Sequence, residues 1–394
     1  MAQVVVIGAG IGGLPTAYEL RHLLSPNHTV TLVSDSPFFT FIPSLPWVAL
    51  GLKSLSQVQL AVEPLVRRQG IEWLMGKVNS LDPQKKTIWI GENNTLLTYD
   101  YLIIATGASL NLHSIPGLGP ETGYTQSVCN PHHAVLAAQA WQAFLESPGP
   151  LVVGAVPGAS CFGPIYEFSL LAEWRLRQLG LRDRVSITLI TPEPYVGHLG
   201  VGGLAQSQEL VKNRLQQQQI TTLENSAIAA VNTEVITLAD GHSVPFQYAM
   251  LLPSFEGPAF LKARPDIADE KGFVPVLPTY QHPDFDSIYA LGVVVKITPS
   301  EKTPIPIGIP KTGQMTEAMG MAVAHNLAHC LDQRSQTAVI PTLAAICMAD
   351  FGDRGIIFVT DPVLPDAKTG KRRKSLAAEG RWVSWVKTLF EQFF

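Results

Sequence analysis

The stretch GASCFGPIYEF, residues 158–168, sets one cysteine, Cys161, between a glycine-rich turn and IYEFSLLAEWRLRQLG (165–180), whose apolar residues recur at helical spacing. A thiolate at that point is both a nucleophile and a two-electron reductant, and the helix N-terminus is expected to lower its pKa. The plainer alternative is a small buried hydrophobe. Four cysteines, Cys129, Cys161, Cys330 and Cys347, are too few and too scattered for a disulfide scaffold, and none forms a C-x-x-C pair. Any thiol chemistry therefore needs a partner brought close by the fold.

The elements around Cys161 point to nucleotide binding. Residues 3–8, QVVVIG, read as a short buried strand, followed by Gly8, Gly10, Gly12 and Gly13 and then the helical LPTAYELRHLL. In such a turn the first glycine permits the tight bend, the second admits a pyrophosphate and the last lets helix and strand pack, with phosphates at the helix N-terminus. A second strand, TVTLVS, ends at Ser34 and Asp35, about 20 residues beyond the turn, where an acid would reach a ribose. YDYLIIATG (99–107) is a further buried strand ending in Ala105, Thr106 and Gly107. That ending, placed after such a glycine turn, resembles the FAD-binding half of the two-dinucleotide-domain flavoproteins, which implies FAD. IYALG (288–292) is similar to the strand on which such chains return to the FAD domain. After Gly292, however, Val293 stands where an acid is usual.

GPLVVGAVPGASCFGP begins in the same way, with a buried strand and Gly154, but carries Val156 at the middle-glycine position, followed by Pro157. A branched Cβ there takes space a pyrophosphate needs, and proline removes a donor. This second unit is therefore expected not to bind NAD(P)H, leaving the flavin to be loaded and unloaded by other means.

Totals set outer limits. At 394 residues the chain is long enough for two or three domains, and a net charge of −4 gives no electrostatic case for nucleic acid. No apolar run is long enough to span a bilayer, and the N-terminus shows no signal-peptide pattern, so a membrane-spanning or secreted protein is not expected. Asn93-Asn94-Thr95 reads as a polar turn. His325 and His329 share a helix face, but without a glutamate between them or a third ligand they do not make a metal site. Cys330 reads as a buried structural residue.

With GASCFGPIYEF, EPYVGHLGVGG (193–203), IPKTGQM (309–315), AAICMADFGDRG (344–355) and GRWVSWVKTLFEQFF (380–394), the whole chain resembles the sulfide:quinone oxidoreductase family. The resemblance implies that Cys161 and Cys347 flank the flavin and exchange a disulfide or polysulfide bridge, with Cys129 as a third cysteine of variable role. Hydrosulfide opens the bridge, leaving a persulfide on one cysteine and a thiolate on the other, and the electrons pass through FAD to a quinone. Glu167, His133 and His198 match the proton-handling candidates. Each histidine has an ordinary hydrogen-bonded structural role as its alternative. Pro43 and Val78 fall among the implied cofactor contacts, and Lys311 matches a cation beside the flavin pyrimidine ring. Phe390 and the residue after the second cysteine, here Met348, match quinone contacts. The same fold would also serve a type II NADH:quinone reductase or a non-catalytic flavin or sulfur carrier; Val156 and Cys161 argue against the former.

The expected fold is α/β. It has an FAD domain from 1–110 and 285–335, a connecting segment at 111–149, a second Rossmann-like domain without a competent NAD site at 150–284, and a C-terminal segment at 336–394. In the tail, Trp382, Val383, Trp385, Val386, Leu389, Phe390, Phe393 and Phe394 form one helical stripe opposite Arg381, Ser384, Lys387, Thr388, Glu391 and Gln392. After the basic run Lys371 to Lys374, this reads as a helix in the membrane interface, against the alternative of an ordinary core-packed helix. The partners are then sulfide, a quinone and a membrane surface, for a peripheral membrane protein. Whether the chain self-associates, and on which side of the membrane it works, is left open.

Overall fold

Short runs of Val, Ile and Leu that end at glycines become parallel strands here, buried on both faces. The computed structural model describes residues 1–299, 301–332, 337–366 and 368–392, except for the side chains of Phe390 and Gln392. β1 (Gln3–Ile7) leads through the glycine turn to α1 (Gly13–Leu23), then β2 (Thr29–Ser34), β3 (Glu72–Met75) and β4 (Tyr101–Ile104). After α2 (Pro131–Glu146), β5 (Leu151–Ala155), α3 (Gly163–Gln178), β6 (Ile187–Ile190), α4 (Ser207–Gln217), β7 (Ile220–Leu223) and β8 (Tyr248–Leu252) repeat the pattern. The chain then returns as β9 (Ile288–Ala290) and α5 (Gly313–Leu331). It finishes with β10 (Ala345–Asp350), β11 (Gly355–Asp361), β12 (Lys374–Gly380) and α6 (Arg381–Gln392).

The first sheet has the order β9-β4-β1-β2-β3, and every pairing in it is parallel. Strand order therefore reverses between β1 and β4, which opens a crevice at their carboxyl ends where a nucleotide fits. The second sheet, β7-β6-β5-β8, is parallel as well, with Leu151 to Gly154 of β5 in register with Ile187 to Ile190 of β6. The inward faces of the two sheets merge into one apolar core running from Val4 and Val6 through Leu151 and Val153 to Met319 and Val323. β10, β11 and β12 form a separate antiparallel sheet, with Cys347 opposite Phe358. The turn at Asn93 to Thr95 is a surface reversal with Asn94 in the left-handed region, as read from the sequence. No helix among the described residues is long and apolar enough to cross a membrane.

Candidate active site

The glycine turn after β1 is packed as a cofactor cradle requires. An added Cβ would run into the Ala105 carbonyl at Gly8, into the Gly8 carbonyl at Gly13, and into Leu291 and Thr316 side chains at Gly12. At Gly10 it would meet nothing, so the turn is closed against the protein and open at one point of its backbone. Ser34 is buried and accepts a hydrogen bond from the Ser36 amide, whereas Asp35 is exposed beyond the end of β2. Thr106 and Gly107 follow β4 at the crevice, Val78 is buried, and Pro43 lies exposed in a short 3-10 turn. Past β9, Gly292 turns the chain, and Lys311 Nζ donates to the carbonyls of Val293 (2.9 Å) and Val295 (2.5 Å). The same ammonium lies 4.7 Å from the Phe273 ring centre, and burial draws its pKa down to about 8. The crevice and glycine spacing fit FAD at Gly8, Gly10, Gly12, Gly13, Ser34, Asp35, Ala105, Thr106 and Gly107.

The thiols converge from three elements. Cys161 stands one residue before Phe162, which caps α3, and the Gly163 amide acts on it to oppose the rise in its pKa. Cys347 comes from the middle of β10, and its Sγ would lie only 2.8 Å from a Cβ placed on Gly163. Cys129, just ahead of α2, is close enough to act electrostatically on Cys161, as Cys347 is. Burial pushes the Cys161 thiol up to about 12, with Cys347 and Cys129 adding to it. Cys347 and Cys129 are each raised to about 11, again chiefly by burial, with the Glu167 carboxyl adding to the rise at Cys347. The expectation of a lowered Cys161 pKa is thus corrected. A helix terminus is worth about 0.3–1 kcal/mol, less than one pH unit, and desolvation of a thiolate exceeds it.

One and a half turns into α3, Glu167 is buried and hydrogen-bonded to Lys387 of α6, itself buried. Burial lifts the Glu167 carboxyl to about 7 despite that cation, and Asp350 at the end of β10 is raised as well, mainly by burial. Nothing in the sequence singles out Lys387 or Asp350. Lys387 was legible only as part of a polar stripe, and stripes of that kind normally face water.

His133 and His198 are placed differently from Glu167. His133 Nε2 lies 2.8 Å from Glu121 at the start of α2, and His198 Nε2 lies 3.3 Å from Glu301. Both rings are almost fully buried, each with an Nδ1 that has no partner among the described residues, and burial lowers the His198 pKa. The loop carrying His198 is pinned by Glu193, also missed in the sequence. Its carboxylate accepts from Tyr166 Oη (2.5 Å), Thr191 Oγ1 (2.8 Å) and the Leu199 amide (2.6 Å). In a dinucleotide fold an acid past the second strand is free to hold a ribose. Here it is consumed internally, and burial raises it to about 7. The glycine loop after β5 is filled too: Val156 is fully buried, Gly158 N–H donates to Pro306 O (2.7 Å), and Gly308 N–H donates to Ala159 O (2.9 Å).

The tail helix is docked with its polar side inward. Val383, Ser384 and Lys387 are buried and Glu391 pairs with Lys53, while Trp382, Trp385 (75% exposed), Val386 and Leu389 face outward. Met348 alternates with Cys347 along β10 and so projects to the other face of the strand. Phe393, Phe394 and the Phe390 side chain lie outside the described residues. The basic run is partly tied down: Arg372 donates to the carbonyls of Val201, Gly203 and Val363, and Arg373 pairs with Asp361. Cys330 is exposed beside Tyr101 Oη at 3.6 Å, which corrects its reading as a buried residue: it lies in the last turn of α5, at the end of the helix and not in its packed middle. His325 pairs with Glu19, and no cluster of metal ligands occurs among the described residues.

Residues 2–322 match the family described as pyridine nucleotide-disulphide oxidoreductase. The chain is 39% identical over 398 residues to the sulfide-quinone reductase of Aquifex aeolicus, covering all of this chain and 90% of that protein. The crystal structure of the Aquifex sulfide:quinone oxidoreductase superposes with a TM-score of 0.94 at 38% identity, over the same shares of the two chains. The mitochondrial sulfide:quinone oxidoreductase of Mus musculus is 26% identical over 76% of this chain and 67% of its own length.

Proposed function

Because this chain belongs to the sulfide-quinone reductases, within the pyridine nucleotide-disulphide oxidoreductases, we infer that its reacting groups are the paired thiols Cys161 and Cys347. The protein is an FAD flavoenzyme that oxidises sulfide and passes the electrons to a quinone. The observation that carries the residue assignment is the packing of Cys347 Sγ against Gly163, the first residue of α3 and two residues past Cys161.

Oxidised, the two cysteines are joined through sulfur. Hydrosulfide attacks one sulfur of the bridge, giving a persulfide on one cysteine and releasing the other as a thiolate. FAD, when bound, supplies the two-electron relay between these sulfurs and the quinone. Both half-buried thiols stay protonated until a base takes their protons, since desolvation holds them near 11 to 12. Glu167 is poised for that work. Its midpoint of about 7 leaves it free to take up and release a proton at neutral pH, and Lys387 stabilises the carboxylate when it forms. His133 and His198, each leaning on a surface carboxylate, carry protons between the interior and solvent. Lys311 neutralises charge at the end of the crevice, and Cys129 is a reserve thiol near Cys161.

The outward Trp382, Trp385, Val386 and Leu389 make α6 a membrane-interface contact for a peripheral protein. Met348 and Phe390 are the quinone candidates by their match to the family's quinone contacts. The second Rossmann-like unit, 150–284, does not take NAD in this reading, because the Gly158 amide is already engaged by the Pro306 carbonyl and the acid past its second strand, Glu193, is turned inward. Anaerobic titration with sulfide while following flavin absorbance tests the assignment. The wild-type flavin should bleach and Cys161→Ala and Cys347→Ala should not; bleaching by NADH, or by sulfide in either variant, would refute it.

A further inference from the structure

Gly163 stands beside both sulfurs: its backbone amide eases the pKa of Cys161 downward against burial, and the empty side of its Cα is where Cys347 Sγ packs, 2.8 Å from the position of a Cβ. Its φ is not in the left-handed range, so backbone freedom does not explain a glycine at this place. Helix propensity argues against it too, since glycine in a first turn is poorer than alanine. What remains is space. An ordinary carbon–sulfur contact needs roughly 3.5–4 Å, so alanine would drive Cys347 about 1 Å from its seat, half the length of a sulfur–sulfur bond. The chain neighbours of Gly163 are Phe162, which is fully buried, and Pro164, which leaves α3 little room to move instead.

We propose that Gly163 is a positioning residue that sets the gap between the Cys161 and Cys347 sulfurs, and through it the number of sulfur atoms that bridge them. The proposal rests on the thiol-pair assignment above. Each sulfur added to the bridge comes from hydrosulfide, which gives up its proton to solvent and two electrons to the quinone, so the count of sulfurs follows turnover without any further oxidant. A gap matched to a short bridge releases product early, and a wider gap closes only over a longer chain.

The test compares wild type, Gly163→Ala, Cys347→Ala and the double variant. Oxidised holoenzyme, after limited sulfide turnover with a soluble quinone, is treated with cyanide to count zero-valent sulfur, and the bridged peptides are weighed by mass spectrometry. Gly163→Ala should lower the share of directly joined Cys161–Cys347 by about tenfold or more, because a bridge held off its preferred geometry is strained. The lost share should reappear as bridges longer by about one sulfur atom. Thermal unfolding supplies a second measure that survives if the single variant folds poorly. Gly163→Ala should lower the melting temperature when Cys347 is present and not in the Cys347→Ala background. An unchanged bridge distribution, or equal destabilisation in both backgrounds, overturns the proposal while leaving the thiol pair intact. If Cys347→Ala alone still lets sulfide reduce the flavin, the underlying assignment fails and the proposal with it.

Discussion

Replacing Lys387 with methionine keeps most of its length and removes the charge that faces Glu167. In the wild type, burial raises the carboxyl from 4.5 to about 7 while Lys387 pulls it the other way. An opposite charge at this range lowers a carboxyl by about 1–3 pH units, so its loss should move the midpoint to about 8–10. At pH 7 the ionised fraction then falls from about one half to about 10% at the near end and about 0.1% at the far end. A proton transfer that needs the carboxylate slows by roughly 5-fold to several hundredfold, and recovers as pH rises. The assay is stopped-flow reduction of the flavin by sulfide from about pH 6 to pH 10, with the ratio of variant to wild type taken at each pH so that titration of sulfide cancels. An acid whose folded pKa is raised favours the folded state below its unfolded value and loses that advantage as pH rises through the folded one. Wild-type stability should therefore decline between about pH 4.5 and 7, and the decline should extend to about 8–10 in Lys387→Met. A ratio that stays flat across pH would refute the placement of Glu167 as the titrating base.

Glu193→Gln leaves one of three buried donors without an acceptor, so the melting temperature at neutral pH should drop by the equivalent of about 1–3 kcal/mol. An unchanged melting temperature in that variant would show that the His198 loop is held by other contacts. Gly13→Ala forces a side chain against the Gly8 carbonyl, and the purified protein should retain far less FAD, read from its absorbance; full flavin content would contradict the cradle. Trp385→Ser with Leu389→Ser removes two exposed apolar anchors, each worth about 1.5–3 kcal/mol when buried in lipid. Binding to phospholipid vesicles should weaken by at least about 100-fold, with sulfide reduction of the flavin unchanged. Equal sedimentation of variant and wild type with vesicles would remove α6 from the interface.

The local signals were strong in the sequence because they depend on neighbours along the chain. Strand QVVVI, its glycine turn and the helix after it follow from branched residues, a tight bend and helical spacing, and β1 and α1 stand where that pattern put them. The expectation at Val156 rests on the same local kind of reasoning, since a side chain's volume does not depend on the fold; the structure sets that side chain in the apolar cluster with Val152 and Ile190. Which way a polar stripe faces depends on what lies against it. Only tertiary structure set Lys387 on Glu167 and turned four large apolar residues outward. The Cys161 pKa went the same way. Sequence supplied the helix terminus, a small and local effect, but desolvation is the sum of everything packed around the sulfur, including a strand that begins at Ala345. Residue types fixed what chemistry was available; the density and polarity of groups distant in the chain decided where their protons and charges sit.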